Sequence, residues 1–373
     1  MQTVLHFAQD SDTSGFFPQL GRWHDREKYR MMFATLNPIA PWLKELFESQ
    51  GIKCFSCDCR SRKDFPAGMM RLAKFLRREK VDIFHAHLYE PSIVGLWAAV
   101  LARTPYRVMT RHHSDCLTRM NKPVHVKLDQ MCTRLSHRVI AVSEHTAQHM
   151  IEAEGAPREK IDVVLNGIDF ERVQVSGADA REKIRREFDA EESHLLLIAA
   201  RFHPEKGYYH LFDALPLLKE KVKKPFKLLI GGRGQFEQDF RDYVKRLNCD
   251  DVVRFLGFRK DIADLMTGVD LFVLPSLAEA FGLVLTESIY LGTPVVSTRV
   301  GGIPEIVEEG VDGVLVPPEN SVALADAIAD LLNDDEKRKA MSGHGREKII
   351  QKFQFSDMVR NYEKVYQKLT GEK

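Results

Sequence analysis

No apolar run in this chain approaches the ~18–20 residues needed to span a bilayer, which excludes a membrane-spanning helix. The start, Met1-Gln-Thr-Val-Leu-His-Phe-Ala8, lacks the basic residues and small-residue cleavage site of a signal peptide and reads as a first strand. A cytoplasmic protein is expected. Strong charge of either sign is missing too, since 373 residues carry a net +1. Residues 1–180 hold 25 Lys+Arg against 21 Asp+Glu, and the remainder holds 29 against 32. That is too mild for a nucleic-acid partner, which calls for a dense basic patch. It leaves room for a peripheral contact of the N-terminal half with the inner face of a membrane. Cysteines number six, with Cys54, Cys57 and Cys59 clustered. No second ligand pair at metal spacing accompanies them, so they read as small hydrophobes on a strand. Disulfides are not expected in a reducing compartment. No 20–50-residue repeat and no low-complexity tract occurs.

What is present is an alternation of short apolar strands with helices. In the first half, strands are expected at Thr3–Ala8, Tyr29–Thr35, Lys53–Cys57, Val81–Ala86, Arg107–Thr110, Arg138–Ser143 and Ile161–Leu165. Helices are expected at Pro41–Ser49, Gly68–Lys80, Pro91–Ala102 and Pro123–Leu135. A polar, charged stretch over 170–192 reads as an interdomain connection. A second set of strands follows at His194–Ala200, Phe226–Gly231, Val252–Leu256, Leu271–Leu274, Pro294–Ser297 and Gly313–Val316. Such order implies an α/β protein of two doubly wound, Rossmann-like parallel sheets, each covered by helices on both faces. The length also suits two domains. The expected division is 1–175 and 176–355, with a last helix in 356–373 packing back on the first domain. Ligands of such sheets bind beyond the C-terminal strand ends, here facing a central cleft.

The most informative stretch is Glu279-Ala-Phe-Gly-Leu-Val-Leu-Thr-Glu287. It follows Val269-Asp-Leu-Phe-Val-Leu-Pro-Ser276, a buried strand ending in a turn, and contains a helix start near Gly282. First-turn N–H groups lack intrahelical partners and favour an anion. Glu287 would lie in the second turn and Glu279 on the loop before it, so one acid can hold hydroxyls while the other faces a reacting group. At the end of the first strand of the second set, Ala200-Arg-Phe-His-Pro-Glu-Lys-Gly207 supplies two cations able to clamp a diphosphate. Gly231-Gly-Arg-Gly234 lacks the full dinucleotide spacing, so a tight turn and a ligand contact weigh equally. Phe255-Leu-Gly-Phe-Arg-Lys260 offers Phe258 to a nucleobase and Arg259 beside it, against a plain strand-to-helix turn. In the first half, Thr110-Arg-His-His113 places a histidine pair at a strand end, and His85-Ala-His87 is a weaker instance. Asp10-Ser-Asp12 has the spacing of a metal-binding pair, but a polar loop explains it and no other carboxylate cluster supports a metal.

Together these pieces resemble the retaining glycosyltransferases of family 4, which have the GT-B fold. The match runs in family order through His85-Ala-His-Leu88, Thr110 to His113, Ala141-Val-Ser143, Asn166-Gly-Ile-Asp169, Arg201 to Gly207, Gly232-Arg-Gly234, Phe255 to Gly257, Glu279 to Glu287 and Gly301-Gly-Ile-Pro-Glu305. The resemblance implies that Glu287 binds the nucleotide ribose and that Glu279 and a cleft histidine, matched best by His112 with His113 as the alternative, serve catalysis beside the donor sugar. It implies that Arg201 and Lys206 neutralise the diphosphate. Ala280, Phe281, Gly282, Leu283 and Val284 would contact sugar and phosphate. Gly15 stands where family members carry a Gly-Gly loop near the donor phosphate, and residues 16–30 are unusually aromatic and polar.

The expected reaction is metal-independent transfer of a hexose, with retention, from a nucleotide-sugar of the UDP-glucose kind to a glycan, polysaccharide or lipid-linked acceptor. No cofactor is expected. A sugar-nucleotide epimerase and a non-catalytic nucleotide-sugar scaffold are the alternatives. The basic side of Gly68–Lys80, with Arg71, Lys74, Arg77 and Arg78, is open to anionic lipid or to water alone.

Overall fold

The structure, a computed structural model, describes residues 1–9, 16–115, 119 and 122–371. Asp10, Asp12 and Gly15 lie outside the described residues. The chain forms two compact units, one of residues 1–167 with 355–373 and one of residues 168–354.

The first unit is built on a parallel seven-stranded sheet. Its strands are β1 (Gln2–Ala8), β2 (Tyr29–Thr35), β3 (Lys53–Ser56), β4 (Ile83–His87), β5 (Tyr106–Arg111), β6 (Arg138–Ala141) and β7 (Ile161–Val163). Their order is β3-β2-β1-β4-β5-β6-β7. β1 is buried from Thr3 to Ala8, as a strand with helices on both faces requires. One face is covered by helices Phe65–Glu79, Tyr89–Ala102, Pro123–Leu135 and Glu144–Glu152, over a core that includes Leu5, Phe7, Leu76, Val94, Cys132 and Met150. The other carries helices Phe16–Trp23, Pro41–Ser49 and the C-terminal Phe355–Thr370, over Phe17, Leu20, Phe33, Phe47 and Tyr362. Phe16–Trp23 falls where sequence patterning shows only an aromatic, polar stretch. Its Phe16, Phe17 and Leu20 are core residues rather than an accessible contact surface.

The second unit holds six parallel strands: β8 (His194–Ala199), β9 (Phe226–Gly231), β10 (Val253–Gly257), β11 (Leu271–Leu274), β12 (Val295–Thr298) and β13 (Gly313–Val316). They run β10-β9-β8-β11-β12-β13. The chain moves outward from β8 in one direction and then restarts beside it at β11. That reversal is a topological switch point, where adjacent loops part and leave a crevice beyond the strand ends.

The stretch over 170–192 is part of this unit and not a free connection. Phe170 packs on Tyr290 at 4.6 Å between ring centroids, and the Ser176 N–H donates to Asp264. Helix Ala180–Glu187 buries Ile184 against Gly268, where a Cβ would sit 2.4 Å from the isoleucine. These contacts carry the first crossing between units back to Gly167/Ile168.

Candidate functional site

The loops after β8 and β11 meet at the switch point. After β8 comes Ala200 to Gly207, and after β11 comes Pro275 to Gly282. The Leu277 N–H donates to the Glu205 carbonyl at 2.8 Å. Gly207 has φ +73°, and a Cβ there would lie 1.7 Å from the Pro275 carbonyl oxygen. Only glycine permits that approach. The far side of the β11 loop is held by the loop after β12. Thr298 Oγ1 donates to the Ser276 carbonyl, and the Gly302 N–H donates to the Glu279 carbonyl at 3.1 Å. Gly301, at φ +54°, comes so near that a Cβ would fall 1.6 Å from the same oxygen. The backbone of Glu279 is thus fixed from two directions.

Its side chain is fixed as well. Lys206 Nζ lies 2.6 Å from Glu279 Oε2, with both side chains less than one-fifth exposed. Ser276 Oγ stands 3.5 Å from the same carboxylate oxygen. Arg201, at the head of the β8 loop, is exposed and makes no hydrogen bond or ion pair among the described residues. Of the two cations on this loop, Lys206 is committed to Glu279 and Arg201 is uncommitted. Gly282, at φ +103°, caps the helix Leu283–Tyr290 with no side-chain cap; the Leu285 N–H turns back to the Gly282 carbonyl at 2.9 Å, and no side-chain oxygen among the described residues takes the N–H groups of Leu283 and Val284.

Glu287 lies in the second turn of that helix, as the sequence indicates. It is mostly buried, and burial raises its carboxyl to about 7 against the opposing pull of Arg172. No hydrogen bond from another described side chain reaches this carboxyl, which makes it a candidate for binding a ligand. Sequence reasoning missed Arg172 and Ser276; it singled out Gly301-Gly-Ile-Pro-Glu305 as a matching segment but not the clamp that Gly301 and Gly302 form on Glu279.

Other residues expected at the site divide. Phe258 is 54% exposed, with the Arg233 guanidinium 5.0 Å over its ring, and is accessible to a flat partner. Arg259 is not available. Its fork is taken by Glu187 at 2.6 and 3.1 Å and by Asp261 at 2.7 and 2.6 Å, so it fastens the β10 loop to helix Ala180–Glu187. Phe281 is 2% exposed and packs edge-on to Phe353, leaving only its backbone for a ligand. Ala280, Leu283 and Val284 are half-buried. The glycines of Gly232-Arg-Gly234 prove to serve close packing: added Cβ atoms would lie 2.1 Å from the Ala200 oxygen and 2.4 Å from the Phe202 oxygen.

In the first unit, the strand register gathers histidines. His6 on β1 pairs with His85 on β4, and His87 pairs with Thr110 on β5. Side chains two apart on a strand share a face, so His6, His85 and His87 lie together, with their nearest ring nitrogens within 4.8 Å of one another. These nitrogens are hydrogen-bonded within the protein: His6 to His87 at 2.9 Å, and His85 to Tyr366 at 2.6 Å and Thr110 at 2.7 Å. A bound metal ion would have to displace those bonds, and the cluster itself supplies no carboxylate to offset the buried charge.

His112, beyond β5, faces His87 at 3.3 Å. His113 turns elsewhere. Its Nε2 lies 2.7 Å from Asp129, inside a buried network in which Arg111 bridges Asp129 and Glu154. The two adjacent histidines are therefore chemically distinct. His113 belongs to a structural ion network, and His112 belongs to an uncharged imidazole chain. Burial, with a smaller contribution from His113, lowers His112 to about 4. His6, Tyr362 and Tyr366 were not legible as its supports.

Residues 180–348 match the family model described as Glycosyl transferases group 1, and residues 20–172 match Glycosyltransferase Family 4. Over 299 residues the chain is 31% identical to the N-acetyl-alpha-D-glucosaminyl L-malate synthase of Bacillus anthracis, spanning 79% of this chain and 77% of that one. It is 27% identical over 308 residues to the Escherichia coli UDP-Gal:alpha-D-GlcNAc-diphosphoundecaprenol alpha-1,3-galactosyltransferase, spanning 80% and 78%. Anabaena Alr3699/HepE in complex with UDP-glucose superposes with a TM-score of 0.83 at 24% identity, covering 99% of this chain and 100% of that one. At that identity the likeness speaks for the fold, which is GT-B. The doubly wound sheets, the Lys206–Glu279 switch point and a relative above 30% identity across most of the chain place the protein in glycosyltransferase family 4, among the glycosyl transferases of group 1.

Proposed function

We propose that the protein is a retaining hexosyltransferase that uses a UDP-sugar and delivers the hexose to a hydroxyl of a glycan, polysaccharide or lipid-linked acceptor, without a metal ion. The observation that carries this is the pairing of Lys206 with Glu279 at the switch point, beside exposed Arg201 and the uncapped start of helix Leu283–Tyr290. Departure of a nucleoside diphosphate builds negative charge, and fixed donors aimed at developing charge lower the barrier most. Arg201, Lys206 and the helix N–H groups supply such donors here. The second unit is then the donor domain and the first the acceptor domain. Glu287 accepts hydroxyls of the ribose, and Phe258 stacks on the base. Glu279 orients Lys206 and the transferred sugar, and His112 positions that sugar or the leaving-group oxygen. The named substrates of the relatives differ in acceptor, while UDP-Gal in one name and UDP-glucose in one neighbour support a UDP-hexose donor.

A peripheral membrane contact is part of the proposal. Helices Phe65–Glu79, Tyr89–Ala102 and Pro123–Leu135 share one face of the first unit. Their exposed residues include Arg71, Lys74, Arg77, Arg78, Lys127 and Arg134, with Met70, Trp97, Leu101 and Val124, and no carboxylate. Cations around exposed apolar side chains suit an anionic lipid surface. No helix among the described residues is long and apolar enough to cross a membrane.

The test is turnover of UDP-hexoses over a panel of acceptors in the presence of a chelator, with the anomeric configuration of the product read by NMR. An α-linked product from an α-linked donor supports the reading; inversion, or restoration of turnover only by added divalent ion, counts against it. For the membrane contact, sedimentation with anionic vesicles should fall in a Lys74→Glu/Arg77→Glu variant, and equal sedimentation on neutral vesicles would refute it.

A further inference from the structure

Three imidazoles of the first unit stand in a row. His6 Nδ1 lies 2.9 Å from His87 Nε2, and His87 Nδ1 lies 3.3 Å from His112 Nε2. His6 and His87 are buried, and His112 is half-buried beyond the strand end. A neutral imidazole carries one N–H and one lone pair on its two nitrogens. Burial holds His6 near 3, His112 near 4 and His87 well below the ordinary histidine range. At neutral pH each ring therefore has a single ring proton, and each hydrogen bond needs one donor and one acceptor.

Only two proton arrangements satisfy both bonds. In the first, His112 donates from Nε2 to His87, His87 donates from Nε2 to His6, and His112 Nδ1 is left as an acceptor. In the second, His6 donates from Nδ1 to His87, His87 donates from Nδ1 to His112, and His112 Nδ1 carries the proton. The tautomer of the outermost ring is tied to that of the innermost, with no charged imidazolium needed. The second ring nitrogen sets the role of the first in every functional histidine. Here that setting passes through one further ring.

The surroundings fix the rings. His85 lies tilted against His87 with centroids 4.2 Å apart and is itself pinned by Tyr366 and Thr110. Phe17 meets His87 edge-on at 5.2 Å, and Phe16 meets His112 edge-on at 5.6 Å. His6 also lines a cavity of about 10 Å³ with His24, Tyr362 and Glu363, room for about one water. Of the two arrangements, the first is the one that leaves His112 Nδ1 able to accept from a hydroxyl.

We propose that His6 and His87 are positioning residues that hold His112 as the Nε2–H tautomer, so that its Nδ1 presents a lone pair to a hydroxyl of the transferred sugar. This rests on the role given to His112 above. An apolar filling of the same space would need no nitrogen-to-nitrogen register, and the two His-to-His bonds are what distinguish a tautomer lock from packing.

Long-range 1H–15N spectra of the 15N-labelled full chain report the tautomer of each ring. The wild type should show His112 with its proton on Nε2. His6→Leu removes the innermost acceptor. It should give His112 as a tautomer mixture and lower kcat by roughly tenfold, the low end for partners that orient a functional imidazole, with KM for UDP-glucose within twofold. His6→Asn returns an amide near the Nδ1 position and should restore one tautomer and most of kcat. An Nδ1–H tautomer in the wild type would overturn the proposal, as would an unchanged His112 tautomer in His6→Leu. The wild-type spectrum decides even if His6→Leu does not fold. Full transfer by His112→Ala would instead sink the role of His112 in transfer, while leaving the tautomer shift in His6→Leu to stand by itself.

Discussion

Glu287→Gln should stabilise the second unit at alkaline pH and do little at acid pH. The folded carboxyl is raised from 4.5 to about 7, chiefly by burial. Below about pH 4.5 the group is protonated in both folded and unfolded chains, and its ionisation contributes nothing. Between 4.5 and 7 the unfolded chain ionises while the folded one does not, so stability falls as pH rises. Above 7 the deficit is complete, at about 3 kcal/mol by the usual conversion of a pKa difference to free energy. Glutamine keeps the shape without the charge and removes this deficit. For a unit of this size each kcal/mol moves Tm by roughly 2–4 °C, so the gain at pH 8 is on the order of 6–12 °C and vanishes near pH 4.5. Scanning calorimetry of both proteins without nucleotide, across that pH range, measures it. Equal midpoints at both ends, or a variant less stable at pH 8 than the wild type, would refute the reasoning. The same variant should bind UDP more weakly, because a neutral amide is a poorer acceptor for hydroxyls than a carboxylate. A residue that lowers stability when the site is empty and strengthens ligand binding is the trade expected at a functional position.

Lys206→Ala should lower kcat on the order of 10²–10³-fold, the usual loss for one fixed donor to developing charge, checked by single-turnover release of UDP. Gly207→Ala forces a side chain onto the Pro275 carbonyl at a positive φ; it should cost roughly 1–3 kcal/mol of stability and disturb donor binding together, read by denaturant unfolding and calorimetry. Asp129→Ala leaves Arg111 with one of its two buried acids and should destabilise the first unit by about 3–5 kcal/mol, visible as a lowered thermal midpoint with UDP affinity intact.

The strand frame was legible because parallel strands buried on both faces read as near-continuous apolar runs, as in Leu271–Leu274 and residues 195–199. The carboxylate loop was legible because strand, acid, glycine and helix start are contiguous in sequence. Partners distant along the chain were not. Nothing local to Arg259 shows that Glu187 occupies its guanidinium, and nothing local to His6 shows that register places it against His85 and His87. Helix Phe16–Trp23 escaped notice because Pro18 and Gly21 interrupt its pattern, although Gly21 fits against Ile52 and Phe47 where a side chain would not. Gly232 and Gly234 looked as much like ligand contacts as packing residues, since both uses require the same missing Cβ.

Calorimetric titration of UDP into the wild type, Arg201→Ala and Glu287→Ala, in chelator, tests the central assignment of a donor site at the β8/β11 switch point most directly. The expected result is saturable binding to the wild type, weakened at least tenfold in each variant. Wild-type affinity in both variants would contradict it.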